Sequence, residues 1–287
     1  GDLAAAEGSC RRALTNEPNH VDALVGLGNV LLAVNQLAEA QDCYRRAIEL
    51  APDCAQAHCN LGALLHAKGE LDEAERCCRA ALRINPNYAD ALSNLGALLP
   101  ALGRLDEAQA VCRQTLKLVP DHAGAFNNLG VALQGLGRLD EALDSYRESI
   151  RLKPERERTH SNLATLQQLT GRHEEAERSC REALRLKPDF PDAWSNLGNT
   201  LKDLGSMAEA ISCYRRALEL KPDFEDAHSN LLFVLNCHPD KSAAQVFEAY
   251  REYEQQFGHP HRQAWRAHAN RRDTQRPQHR PLHTKSP

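Results

Sequence analysis

The chain lacks long apolar runs, a secretory signal and any CxxC pair. No apolar stretch approaches the roughly 18 residues that a membrane-spanning helix needs, so membrane insertion is not expected. With no secretory signal either, a cytoplasmic location is the expectation. The chain also lacks an initial methionine, its single methionine being Met207, and we therefore expect a fragment or a processed product.

What the chain does have is a strict internal period. Seven prolines stand 34 residues apart: Pro18, Pro52, Pro86, Pro120, Pro154, Pro188 and Pro222. Counting from each proline, leucine occupies plus 9 in all seven units, and alanine occupies plus 22 in six. A fixed period of this size predicts a stacked array of small supersecondary units.

The sequence of each unit predicts two amphipathic helices. In the fourth unit, Ala125, Leu129 and Leu133 fall at helical spacing, as do the apolar residues from Leu139 to Ile150. A glycine at plus 17 is expected to end the first helix, and small residues at plus 10 and plus 22 allow close helix packing. The proline begins the next unit, and the aspartate after it in four units suits a helix N-terminus. The pattern predicts an all-α solenoid (α-solenoid) of about 15 helices.

The period also sets the expected boundaries. Residues 1–17 form the second helix of a preceding unit, 18–221 six full units, and 222–258 a seventh, divergent unit with a capping helix. Residues 259–287 read as a basic, disordered tail with six arginines and one lysine against one acid. Since the whole chain carries −4, residues 1–258 carry −10. Few aromatic residues accompany the basic charges, so nucleic-acid binding is not favoured.

These features resemble the tetratricopeptide (TPR) repeat family over residues 1–236. The resemblance implies a right-handed superhelix in which the first helix of each unit lines a concave groove. It also implies a protein-interaction module.

The ten cysteines and the repeated histidines are interpreted as structural. Four cysteines occupy plus 26, where other units have tyrosine, and there they act as small buried hydrophobes. Zinc is not favoured in the cysteine-dense second unit, because no CxxC pair exists. His58, His160 and His228 share plus 6 but lie in separate units, too far apart for one ion. We expect no metal, no cofactor and a reducing compartment.

Asparagine at plus 8 is the feature that points to function. It recurs in six consecutive units: Asn60, Asn94, Asn128, Asn162, Asn196 and Asn230. An amide side chain offers a donor and an acceptor, which match the N–H and C=O of a peptide backbone. An extended peptide advances about 3.3 Å per residue, so one asparagine per roughly 10 Å meets every third residue.

We therefore predict that this asparagine ladder holds polypeptide segments in extended conformation. Selectivity is expected from neighbouring residues: Asp90, Asn199, Lys202, Asp203 and Asp226. The alternative is a generic assembly scaffold, in which each asparagine only hydrogen-bonds the adjacent unit and stiffens the stack.

An asparagine ladder in this position is also similar to that of protein O-linked N-acetylglucosamine (O-GlcNAc) transferases. Residues 188–199 and 226–240 resemble the last repeats of the bacterial SPINDLY-type branch, as does the His-Ala-Asn segment at 268–270. The resemblance implies a substrate-recruiting role. The sequence departs from that family after Asn270, so we expect no catalytic residue and no enzymatic activity in residues 1–287. The alternative is that residues 1–287 are a truncated form of an active protein O-glycosyltransferase that transfers O-GlcNAc or O-fucose.

Overall fold

The computed structural model describes residues 2–237 and 242–258, and within them it contains fifteen α-helices and no strand. The helices are α1 (Asp2–Asn16), α2 (Val21–Ala33), α3 (Leu37–Leu50), α4 (Ala55–Ala67), α5 (Leu71–Ile84), α6 (Ala89–Leu98), α7 (Leu105–Leu118), α8 (Ala123–Gly135), α9 (Leu139–Leu152), α10 (Glu157–Leu169), α11 (His173–Leu186), α12 (Pro191–Asp203), α13 (Met207–Leu220), α14 (Glu225–Cys237) and α15 (Ala243–Tyr253). The expected all-α array is confirmed, while the predicted tail at 259–287 lies outside the described residues.

The turn inside each unit depends on a left-handed backbone. The plus 17 glycines of five units have φ between 73° and 84°, which glycine adopts without a Cβ penalty. In the first unit Asn35 takes the same place with φ 62°. Asparagine is the residue that most often replaces glycine there. Among the helices described, α6 is the shortest, because Pro100 lacks the N–H that would continue the α-helix, and a 3-10 turn at Leu99–Leu102 follows it.

The repeated prolines lie in turns between units, which corrects the expectation that they mark helix N-termini. The first helices begin three residues after the proline, as α4 does at Ala55 after Pro52. The N–H of Cys54 donates to the carbonyl of Ala51 at 3.0 Å, closing a β-turn with Pro52 as its second residue and Asp53 as its third. Proline favours that second position because its φ is already fixed.

Close packing inside each unit uses the small residues at plus 10 and plus 22. All six alanines at plus 22 are fully buried. The plus 10 glycine packs against the ring or sulfur at plus 26. In the fourth unit a Cβ added at Gly130 would lie 2.5 Å from the ring of Tyr146. The cysteines at plus 26 in complete units, Cys78, Cys112 and Cys180, are free and buried, which confirms that they fill the core.

Contacts between units are closer on one side of the array. Within the described residues, first helices of successive units, such as α4 and α6 or α6 and α8, contact one another more extensively than successive second helices do. Elements approach more closely on the inner side of a curved stack. The first helices, which carry the asparagine ladder, therefore line the concave face.

Candidate functional site

The ladder asparagines are half-buried on the first helices, and five of them donate to the preceding unit. Asn60 Nδ2 donates to Asn29 Oδ1 at 2.8 Å, and Asn94 Nδ2 to Cys59 Sγ at 3.3 Å. Asn196 Nδ2 contacts two hydroxyl oxygens of α10 at 3.0 and 3.1 Å. These bonds join neighbouring units, as the scaffold alternative requires.

A short relay of amides joins three units in the middle of the array. Asn162 Nδ2 donates to Asn127 Oδ1 at 3.0 Å, and Asn127 Nδ2 donates to Asn128 Oδ1 at 3.2 Å. Asn128 Nδ2 then donates to the backbone carbonyl of Ser93 at 3.0 Å. Both the donor and the acceptor of Asn128 are therefore occupied within the protein.

The other ladder amides keep an unused acceptor. Among residues 2–237 and 242–258, no group donates to the side-chain oxygen of Asn60, Asn94, Asn162 or Asn196. The side chain of Asn230 makes no hydrogen bond in those ranges. An unfilled carbonyl oxygen beside open space is available to an N–H group of a ligand.

That open space consists of two cavities on the concave face. The first has a volume of about 400 Å³ and is bordered by Asn94 and Asn128. The second has a volume of about 610 Å³ and is bordered by Asn162, Asn196 and Asn230. Arg158 borders both. The cavities therefore meet at this side chain and form one groove across the third to seventh units.

The residues predicted to confer selectivity divide into two sets. Asp90 borders the first cavity, and Asn199 and Asp226 border the second. Lys202 and Asp203 are not among the residues that border either cavity. Lys202 Nζ lies 5.7 Å from the ring centroid of Phe233, and Asp203 accepts a hydrogen bond from Gln168 at 2.7 Å. The selectivity of all five residues stays a prediction.

Two ionisable groups near the ladder have shifted pKa values. Burial raises the pKa of the Cys59 thiol, which Asn94 contacts, to about 11, so it is not a thiolate at neutral pH. Burial and the nearby charge of Arg158 lower the pKa of His66. In the part of the chain that the structure describes, no cluster of three or more His, Cys, Asp or Glu residues is arranged to bind a metal ion. None of its helices is both long and apolar enough to cross a bilayer.

The sequence analysis did not anticipate two sets of hydrogen bonds that stabilise the units. In the first set, a ring nitrogen at plus 6 lies within hydrogen-bond distance of the carbonyl of the repeated proline in the same unit. Trp194 Nε1, for example, donates to the carbonyl of Pro188 at 2.8 Å. The three plus 6 histidines contact the same carbonyl in their units at 2.8–3.1 Å. The buried Tyr44 hydroxyl donates to Asn29 Oδ1 at 2.8 Å. The repetition of a ring at plus 6 was the available signal.

Comparison with known proteins identifies the repeats. The family described as "Cilia and flagella-associated protein 70 C-terminal domain" matches residues 1–191, and the tetratricopeptide repeat family matches residues 191–224. No curated protein matches the chain. The transferase-type specificity expected from the asparagine ladder is not shown by these matches and stays a prediction.

Solved structures share the fold. A chain of the APC/C hetero-tetramer Cut9–Hcn1 superposes with a TM-score of 0.73 at 18% identity, covering 82% of this chain and 46% of that one. The present chain thus spans less than half of that protein. A tetratricopeptide repeat protein of Parabacteroides merdae has a TM-score of 0.67 at 20% identity, covering 82% and 93% of the two chains.

A thermophilic TPR protein of Thermus thermophilus has a TM-score of 0.58 at 27% identity, covering 64% of this chain and 100% of that one. The helix pairs, the left-handed turns and the family matches all lead to one assignment. The chain belongs to the tetratricopeptide repeat family, and within it to the family of the Cilia and flagella-associated protein 70 C-terminal domain.

Proposed function

We propose that this TPR array is a protein-interaction module whose concave groove binds polypeptide in extended conformation. The observation that carries the proposal is the set of ladder amides with unfilled acceptors beside two adjoining cavities. Four successive ladder residues, from Asn128 to Asn230, border these cavities together with Asn94. A backbone N–H of the ligand fits each unfilled oxygen.

The ladder has two roles in this proposal. The Nδ2 groups hold adjacent units together, as Asn162 does through Asn127, while the free Oδ1 atoms accept from the ligand. The same residue series therefore accounts for stiffness and for binding. The generic scaffold, in which only the first role exists, is the second candidate, and the amide donors favour it.

Two single substitutions separate the roles. Asn230 has no protein partner within the described residues, so Asn230→Ala should leave the melting temperature unchanged. It should weaken the binding of unrelated extended peptides by about 2- to 13-fold, the equivalent of one net hydrogen bond. Asn128→Ala removes a side chain whose donor and acceptor are both satisfied, so it should lower stability by about 0.5–1.5 kcal/mol or more.

The measurement is a fluorescence-anisotropy titration with several labelled peptides, paired with a thermal melt. A quadruple change of Asn94, Asn128, Asn162 and Asn196 to alanine should abolish binding and lower stability together. Gly130→Ala is the matched control, because it destabilises the array from inside the fourth unit without changing the groove. Normal peptide binding by the quadruple variant, measured below its melting temperature, would leave only the scaffold role.

Recruitment of substrates for a protein O-glycosyltransferase is the finer form of this proposal. It is supported by the asparagine series and by the resemblance of residues 188–199 and 226–240 to the SPINDLY-type branch. Reading the genomic DNA around and beyond codon 270 in all three frames tests it. A glycosyltransferase domain in any frame would support the recruiting role, and its absence would leave the general peptide-binding module.

A further inference from the structure

The charge along the groove reverses at a single unit. The residue at plus 4 borders the cavities in five consecutive units: Asp90, Gly124, Arg158, Asp192 and Asp226. Three of the five are acidic, and only the fifth unit has a base. The groove is therefore acidic on both sides of one basic point.

A second arginine, Arg156, lies at this point, and neither guanidinium group pairs with a carboxylate of the described residues. Within the described residues, no carboxylate lies within ion-pair distance of Arg156 or Arg158, although Asp90 and Glu157 border the same cavity. The Nε atom of Arg156 is buried, and no residue in the described part of the chain accepts a hydrogen bond from it. Arg79 on a second helix, by contrast, contacts two carboxylates at 2.7 Å. An unsatisfied buried N–H is unfavourable, and the guanidinium group that carries it borders the cavity, where its terminal nitrogens can donate to an oxygen of a ligand.

Both arginines border the first cavity, next to Gly124 of the neighbouring unit. A Cβ added to Gly124 would lie 3.1 Å from the His122 ring and 3.7 Å from a terminal nitrogen of Arg156, so the glycine allows both side chains to lie close to this edge of the cavity. The charge of Arg158 also extends across the groove, since it contributes to lowering the pKa of His66 on α4. A carboxylate of the ligand can therefore approach both guanidinium groups from the cavity.

We infer that the bound polypeptide carries an aspartate or glutamate side chain opposite Arg156 and Arg158, flanked by basic residues, and that this acidic residue fixes its register. The inference rests on the proposed function. A ladder that contacts only backbone is the same for every register, because all residues present the same N–H and C=O groups. A single reversal of charge removes that degeneracy. A shift by one unit places the acid opposite Asp192 in one direction and opposite Gly124, which has no charge, in the other.

The spacing of the units gives the ligand pattern. Neighbouring units are roughly 10 Å apart, and an extended peptide advances about 3.3 Å per residue. Basic residues opposite Asp192 and Asp226 should therefore lie about three and six residues from the acid on one side. A base opposite Asp90, two units away, should lie about six residues from it on the other side.

The test uses labelled peptides with acetylated and amidated ends. One has a glutamate with lysines at the spacings above, and a second has the same residues in reverse order. A third has glutamine at all charged positions, and a fourth has lysine in place of the glutamate. The better of the two charged orders should bind about 10- to 100-fold more tightly than the lysine-for-glutamate peptide, as expected for charge-assisted hydrogen bonds.

A charge exchange then assigns the effect to the two arginines. The double change R156E/R158E should reverse the preference, so that the lysine-for-glutamate peptide becomes the tighter ligand. The control R83E/R178E changes the net charge equally on exposed arginines of α5 and α11 and should leave the preference intact. Arg158→Glu alone changes an exposed side chain and should reduce the preference even if the double variant folds poorly.

The outcomes separate the two proposals. Equal binding of all four peptides would overturn the register inference and leave the peptide-binding groove in place. Failure of every peptide to bind, the glutamine peptide included, would overturn both proposals.

Discussion

The packing of the plus 10 glycine gives the sharpest test of the fold. Gly130 on α8 lies against Tyr146 on α9, and a Cβ at Gly130 would lie 2.5–2.9 Å from three ring atoms. The ring has no room to move, since Tyr146 is only 1% exposed and its hydroxyl donates to Gln134 at 3.0 Å. We expect Gly130→Ala to reduce the free energy of unfolding by about 1–3 kcal/mol through overpacking.

The fifth unit shows what would relieve this strain. It carries Ala164 at plus 10 and the smaller Cys180 at plus 26, both buried. In a Tyr146→Cys background the overlap is removed, and alanine is favoured over glycine in a helix interior by about 0.8–1.0 kcal/mol. Gly130→Ala should therefore stabilise that background, which gives a coupling energy of about 2–4 kcal/mol between the two positions.

Urea unfolding of the wild type, both single variants and the double variant measures this coupling. Gly96→Ala is a control within the chain, because its Cβ would overlap only the Cys112 sulfur, at 2.7 Å. Like Gly130→Ala in the Tyr146→Cys background, Gly96→Ala should not destabilise the protein, because the fifth unit accommodates the same alanine–cysteine pair. Hydrogen exchange should show the loss first in α8 and α9, since units couple only to their neighbours. An equal effect of Gly130→Ala in the wild type and in the Tyr146→Cys background would refute the packing argument.

Three further predictions concern a turn, a thiol and catalysis. Trp194→Phe removes the bond to the Pro188 carbonyl and should cost about 0.5–1.5 kcal/mol in a denaturant melt, and an unchanged midpoint would contradict this role. Burial raises the pKa of the Cys112 thiol from 9.0 to about 12, so in the folded protein at pH 8 Ellman's reagent should modify exposed Cys237 quickly and Cys112 only after unfolding. Equal rates of modification of Cys237 and Cys112 in the folded protein would refute this prediction. Purified residues 1–287 should show no sugar transfer, and turnover of UDP-GlcNAc or GDP-fucose above a buffer blank would refute this expectation.

The sequence by itself determined the units of this protein. The turn glycines and the alanines at plus 22 shape the turn and the packing of a single helix pair. Because each unit needs the same local geometry, the same residues recur at the 34-residue period. Gly69 and Ala74, for example, have their roles fixed within the second unit. The same periodicity, with the family resemblance, was enough to place the asparagine ladder on the concave helices.

Only the tertiary structure decided how atoms of different units meet. The sequence places Asn128 and Asn230 in equivalent positions, yet the amide of Asn128 both donates and accepts a hydrogen bond, and that of Asn230 has no partner within the described residues. It also misplaced the prolines, because a β-turn and a helix N-terminus both accept proline followed by an acid. A hydrogen bond is formed or lost within a few tenths of an ångström, and such distances depend on how each helix is rotated against the next unit. The periodic pattern sets which residues face the groove, and packing between units sets which of their polar atoms are still free.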